Sequence, residues 1–119
     1  MQFTHRKTGQ RAERQAITFL RAQGLKLIRK NFYSRYGEID IIMRSQHNII
    51  FAEVKMRSSN TFGSPIEYVT LSKQKKIINT AQVFLLKHTK YTCLQPRFDV
   101  IGITPSKTIW IKNAFTSNY

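Results

Sequence analysis

An α/β domain with helices packed on a mixed sheet is the architecture this sequence predicts, and three observations carry it. Apolar residues recur at helical spacing in two separate stretches. Short runs rich in Ile, Val and Phe, bounded by turn residues, lie between and after them. The resulting order is helix, three strands, helix, two strands.

The first helix is expected from about Thr8 to Gln23. Ala12, Ala16, Ile17, Phe19 and Leu20 fall within one arc at 100° per residue, and Gly24 follows as a C-terminal stop. Leu25 to Tyr33 reads as the first strand, and Glu38–Arg44 and Asn48–Met56 as two more joined by "SQHN". "RSSNTFGSP", Arg57 to Pro65, is a loop by composition. The second helix is expected from Leu71 to His88, capped by Thr70 or Ser72, with Ile77, Ile78, Ala81, Phe84 and Leu85 as its apolar stripe. Arg97–Ile103 and Thr108–Ile111 close the sheet around the turn "TPSK". With no repeat, low-complexity segment or linker, residues 1–119 are expected to form a single domain.

Composition narrows the function classes. At 41% hydrophobic and 12% aromatic the chain is globular rather than disordered. No apolar run approaches the ~20 residues of a membrane helix. The N-terminal "MQFTHRKTGQRAER" has no apolar stretch behind it and does not resemble a secretory signal. The lone Cys93 has neither a disulfide partner nor metal-ligand neighbours, and a reduced, cytoplasmic setting is expected. Twenty Lys and Arg against six Asp and Glu give a net charge of +14, in clusters rather than alternating with negative charge. Such an excess suits a polyanion, with nucleic acid favoured over an anionic membrane.

Against that background the scarce carboxylates stand out. Glu38, Asp40 and Glu53 lie in one predicted hairpin, beside Lys55. Side chains alternate along a strand, so Glu38 and Asp40 share one face, and Glu53, Lys55 and Arg57 share another. A turn centred between Gln46 and His47 makes paired positions sum to 93, with Asp40 opposite Glu53 and Glu38 opposite Lys55. Facing carboxylates about 5 Å apart repel unless a cation lies between them, and a divalent metal is the natural candidate. The bland alternatives are a Glu38–Lys55 ion pair and an edge-strand charge at Asp40. Glu13 and Gln74 fall on the inward arcs of the two helices. Each must find a partner, either a backbone group at a helix end or a shared site.

Other polar residues read as structural or solvated. Asp99 shares a strand face with Arg97 and is first an ion pair. Glu67 is expected at the surface. His5, His47 and His88 lack zinc-like spacing and are expected in solvent. Ser58, Ser59 and Cys93 have no adjacent general base, and there is no Gly-rich phosphate loop. Phe32, Tyr33 and Tyr36 are candidates for stacking on bases if the partner is RNA.

"TGQRAERQAITFL", "NFYSRYGEIDII", "FAEVKMRS", "FGSPIEYVTLSKQKK" and "RFDVIGI" resemble, in order, the blocks of the YraN-like family of small bacterial proteins, from about Thr8 to Ile103. The resemblance implies a restriction-endonuclease-like α/β fold of order αβββαββ. It also implies kinship with Holliday junction resolvases and other PD-(D/E)XK nucleases. By the same resemblance Asp40 is the motif aspartate, Glu53 and Lys55 the E-x-K, Glu13 the first-helix glutamate, and Gln74 the helix-two Lys-Gln position. Ala12 departs from the Gly that the family often places before the glutamate.

The expectation is therefore an Mg²⁺- or Mn²⁺-dependent nuclease acting on DNA, with RNA the alternative polyanion. Asp40, Glu53 and Glu13 would hold the metal, Lys55 would position water and offset charge, and Gln74 would orient water or phosphate. Arg6, Lys7, Arg11, Arg14, Arg57, Lys73, Lys75 and Lys76 would grip the backbone. Nothing in the pattern reads bases, so recognition of structure rather than sequence is expected. Junction-cutting relatives in the fold work as dimers, which leaves a homodimer open. The competing reading is a non-catalytic nucleic-acid-binding module of the same fold.

Overall fold

The computed structural model describes residues 2–59 and 69–117, with side chains described from Gly9 onward. Its elements follow the expected order: α1 (Gln2–Ala22), β1 (Lys26–Ser34), β2 (Gly37–Arg44), β3 (Asn48–Met56), α2 (Leu71–Lys87), β4 (Gln95–Ile103) and β5 (Thr108–Phe115). A short 3₁₀ turn, Thr89–Tyr91, follows α2. Helix α1 begins well before Thr8, because the apolar periodicity that signals it starts only at Ala12 while nothing earlier breaks a helix. It ends at the expected stop, where Gly24 takes φ +95°, a conformation costly for any residue with a β-carbon. Thr70 caps α2, its side chain accepting from the Lys73 N–H at 3.1 Å. Most of the Arg57–Pro65 loop, and Glu67, lie outside the described residues.

The five strands form one sheet in the order β1-β2-β3-β4-β5. Only β3 and β4 run parallel, joined by the crossover through α2. Each face of the sheet is covered by one helix. On the α2 face, Ile77, Ile78, Ala81 and Phe84 pack with Phe32, Ile42, Phe51 and Val100. On the α1 face, Ala12, Ala16, Ile17 and Leu20 pack with Ile41, Met43, Ile50 and Ile101. Phe84 anchors the first core, its ring edge-on to Phe32 at 5.1 Å and to Phe51 at 6.2 Å. His88, expected in solvent, is half-buried with its ring 4.4 Å from Phe84, because α2 ends over this aromatic cluster. No described helix is long and apolar enough to cross a membrane.

Two features of the sheet shape the surroundings of Asp40 and Glu53. The β2–β3 register is the one expected from the turn: Ile41↔Ala52, Ile42↔Phe51, Met43↔Ile50 and Arg44↔Ile49. The ladder then stops and the strands part. The Gly37–Ile39 end of β2 stays paired with β1, while the Glu53–Met56 end of β3 stays paired with β4. Strict alternation also fails at this point, since Ile39 packs on the α2 face and Ile41 on the α1 face. Across from this break, Asn31 of β1 sits at φ 55°, a left-handed conformation that Asn tolerates better than most residues.

Candidate active site

Where β2 and β3 fork, backbone groups that would have bonded each other are released and need partners. The Asp40 carboxylate takes one of them, accepting from the Val54 N–H at 2.8 Å. That bond aims the Asp40 side chain across the fork toward β3. Glu53, the next residue of β3 beyond the last pair, is 4% exposed. Lys55 Nζ lies 3.6 Å from Glu53 Oε2, and Lys73 Nζ, from the first turn of α2, lies 3.4 Å from the same oxygen. The expected Glu38–Lys55 pair is replaced by this arrangement. The strands have parted before residue 38, and Glu38 sits opposite Tyr33 on β1 instead.

The other oxygen, Glu53 Oε1, is buried without a hydrogen-bond partner, alone in that respect among the described residues. With both carboxyls ionised it has no donor; a proton held on Asp40 supplies one. Burial, and then the Glu53 charge, push Asp40 up to about 8, and the Val54 N–H offsets only part of this. Glu13 of α1 is also raised, first by burial, with the charges of Glu38 and Glu53 adding and the Asn31 side chain and Lys30 opposing. Glu13, Glu38, Asp40 and Glu53, four of the chain's six acidic residues, therefore act on one another at the fork.

Asp99 supplies the contrast. It is fully buried and bonded by Arg97 at 2.9 and 2.8 Å, by Trp110 Nε1 at 2.9 Å and by the Asn113 N–H at 2.9 Å. Every lone pair in reach has a donor, which is how a structural carboxylate looks. At the fork, by contrast, Glu53 Oε1 is left without a donor. Among the described residues no three His, Cys, Asp or Glu side chains are grouped tightly enough to hold a metal alone. Asp40 and Glu53 are a two-carboxylate set, with Glu13 set back against Asn31. That suits Mg²⁺, which usually takes one or two carboxylates and fills its remaining positions with water and phosphate oxygens.

A model of the "Uncharacterised protein family UPF0102" matches residues 12–103. The chain is 46% identical over 114 residues to a UPF0102 protein of Saccharophagus degradans, covering 96% of this chain and 97% of that one. It is 45% identical over 108 residues to one of Francisella tularensis (90% and 92%), and 43% over 114 to one of Coxiella burnetii (95% and 95%). The chain belongs to the UPF0102 family. The YraN-like resemblance read from the motifs is to this same family.

The remaining expected residues of this UPF0102 protein are distributed unevenly. Gln74 donates its side-chain amide to the Val69 carbonyl at 3.0 Å, serving the start of α2. Lys73, expected among the backbone-gripping cations, is instead bound to Glu53. Its spacing from Ile77, one helical turn on, was the signal that it shares the inward stripe. Arg11 and Arg14 are exposed on α1, and Lys75 and Lys76 on α2. Arg57 sits at the end of β3 and donates to the Met56 carbonyl at 2.9 Å. The side chains of Arg6 and Lys7 lie outside the described ones. Glu13, Arg14, Lys30, Asn31 and Gln10 line a cleft of about 260 Å³ beside the fork. A larger one, about 440 Å³, is lined by Gly24, Lys26, Arg44, Ser45 and Gln46 at the opposite end of the hairpin, away from the carboxyls. Asn31 carried no sequence signal beyond its tolerance of positive φ.

Proposed function

We propose that this UPF0102 chain is an Mg²⁺- or Mn²⁺-dependent nuclease that hydrolyses DNA phosphodiester bonds, directed by DNA structure rather than sequence. The observation that carries this reading is the carboxyl pair Asp40 and Glu53, with Glu53 Oε1 buried and unpartnered, held on a sheet with Lys55 two residues beyond, in a chain of net charge +14. Asp40 and Glu53 would hold the ion, with Glu13 acting through water. A bound divalent ion would polarise the scissile phosphate and stabilise the leaving oxygen. Lys55, already beside Glu53, orients the attacking water and offsets charge developing on the phosphate. Lys73 holds Glu53 Oε2 from the other side, which leaves Oε1 as the free ligand atom. Arg11, Arg14, Lys75 and Lys76 on the exposed helix surfaces draw in and hold the DNA backbone.

The test is nicking of supercoiled plasmid and of synthetic branched duplexes with Mg²⁺, Mn²⁺ or EDTA. Wild type should cleave with metal only. Asp40→Asn, Glu53→Gln and Lys55→Ala should each abolish cleavage, and Glu13→Gln should weaken it. DNA binding should survive in Lys55→Ala, which removes one of twenty basic residues. Equal cleavage by wild type and Lys55→Ala would place the activity elsewhere. The second reading, a non-catalytic DNA-binding module, is favoured by two observations: two lysines already neutralise Glu53, and no three-ligand cluster is present among the described residues. It replaces the first if wild type cleaves no substrate with either metal.

A further inference from the structure

The mouth of the acidic fork carries aromatic rings that neither core uses. Tyr33 is 65% exposed and Tyr36 37% exposed, whereas their neighbour Phe32 is 4% exposed and belongs to the α2-side core. Phe32 is therefore withdrawn from the stacking candidates, and the two tyrosines remain. Tyr33 sits opposite Glu38 on β2, two residues from Asp40. That pairing sets Tyr33 at the edge of the fork.

An exposed tyrosine alone needs no explanation. Tyr33 stands at the end of β1, directly before a turn that is fixed in place. Ser34 Oγ and Thr80 Oγ1 of α2 share a hydrogen bond of 2.9 Å, and the Tyr36 N–H donates to the same Ser34 hydroxyl at 3.1 Å. Arg35 lies over the Tyr36 ring, 4.9 Å from its centroid, and donates to its hydroxyl at 2.8 Å. Gly37 takes φ +148° where the turn meets α2, and a β-carbon there would lie 3.5 Å from that of Lys76. Two exposed rings and the Arg35 guanidinium thus flank one turn, at the end of β1 and β2 where Tyr33 pairs with Glu38. Aromatic rings interleaved with cations are the surface that single strands bind, the rings taking base faces and the cations taking phosphates.

We propose that Tyr33, with Arg35 and Tyr36 on the turn that follows it, is a stacking platform for an unpaired nucleobase next to the phosphate engaged at the fork. The substrate class is then single-stranded, frayed or branched DNA rather than continuous duplex. A base inside a duplex has both faces covered by its neighbours, so only an unstacked base can use the ring. The proposal rests on the nuclease reading for its choice of DNA, but it is tested by binding and does not need cleavage.

The experiment uses the full chain in EDTA with three DNA probes: a single strand, a fork with a 2-aminopurine in its unpaired arm, and a blunt duplex. Stacking contributes ~1–3 kcal/mol per base, which corresponds to roughly 5- to 150-fold in affinity. Tyr33→Ala should lose that factor on the single strand and the fork, lose none on the blunt duplex, and abolish the 2-aminopurine quenching seen with wild type. Tyr33→Phe keeps the ring and should behave as wild type. An equal loss on all three probes, no loss on any, or no quenching by wild type would overturn the platform. Ring-dependent preference without cleavage under any metal would retain the platform and remove the nuclease reading. Cleavage at a fork unaffected by Tyr33→Ala would do the reverse.

Discussion

Replacing Asp40 with asparagine tests whether the fork forces two carboxyls together. Asp40 rises from an ordinary 3.8 to about 8 in the folded chain. A carboxyl raised on folding makes the folded state bind more protons than the unfolded one between those two values. Stability therefore falls as pH rises from about 4 to about 8. At about 1.36 kcal/mol per pH unit, the ceiling on this loss at neutral pH is about 4 kcal/mol. Relaxation of the fork and entry of water reduce it, to about 1–3 kcal/mol. In Asp40→Asn the amide cannot ionise, its oxygen still accepts from the Val54 N–H, and its nitrogen can donate to the orphaned Glu53 Oε1. For a chain of this size that is a rise in Tm of about 4–12 °C at pH 7 in EDTA. Thermal melts followed by circular dichroism from pH 4 to pH 8 should show the gap closing toward pH 4. Mn²⁺ or Mg²⁺ should raise the wild-type Tm and leave the variant near its own. A variant that melts below wild type at pH 8, or a gap that does not change with pH, would refute the reasoning and make Asp40 a structural residue.

Three other outcomes come from the same geometry. Asp99→Asn should cost about 3–5 kcal/mol, because it leaves the half-buried Arg97 uncompensated, and the Tm deficit should be the same with and without divalent metal; an unchanged Tm would contradict the structural assignment. Lys73→Ala should melt below wild type at pH 8 in EDTA, and the deficit should shrink in an Asp40→Asn background, a coupling that a double-mutant cycle reads directly. DNA binding by wild type should weaken with salt at a log–log slope of about −0.9 per neutralised phosphate, and Lys75→Ala with Lys76→Ala should make the slope shallower without changing the fold; a salt-independent isotherm would remove the electrostatic account.

The element order, the hairpin register and the inward faces of both helices were legible in the sequence because each is a local property. Apolar spacing declares a helix face within a few turns, and the centre of the "SQHN" turn sets every pairing from Ile41↔Ala52 to Arg44↔Ile49. The extension of α1 before Thr8 was not legible, because the apolar pattern that declares the helix starts only at Ala12. What the sequence by itself determined about the site is that scarce carboxylates, a lysine and a basic surface share one hairpin. Tertiary structure decided how they meet. Strand pairing is a competition between neighbours: β1 keeps one end of β2 and β4 keeps the far end of β3, so the two strands part at Asp40 and Glu53. That parting turns the Asp40 carboxylate onto the Val54 N–H and separates Glu38 from Lys55. The crossover helix then brings Lys73 onto Glu53, a contact between residues twenty apart that no local pattern encodes. The crowding of carboxyls at the fork exists only once all three elements are in place, because repulsion between partly buried carboxyls depends on distance and on exclusion of water, and packing sets both.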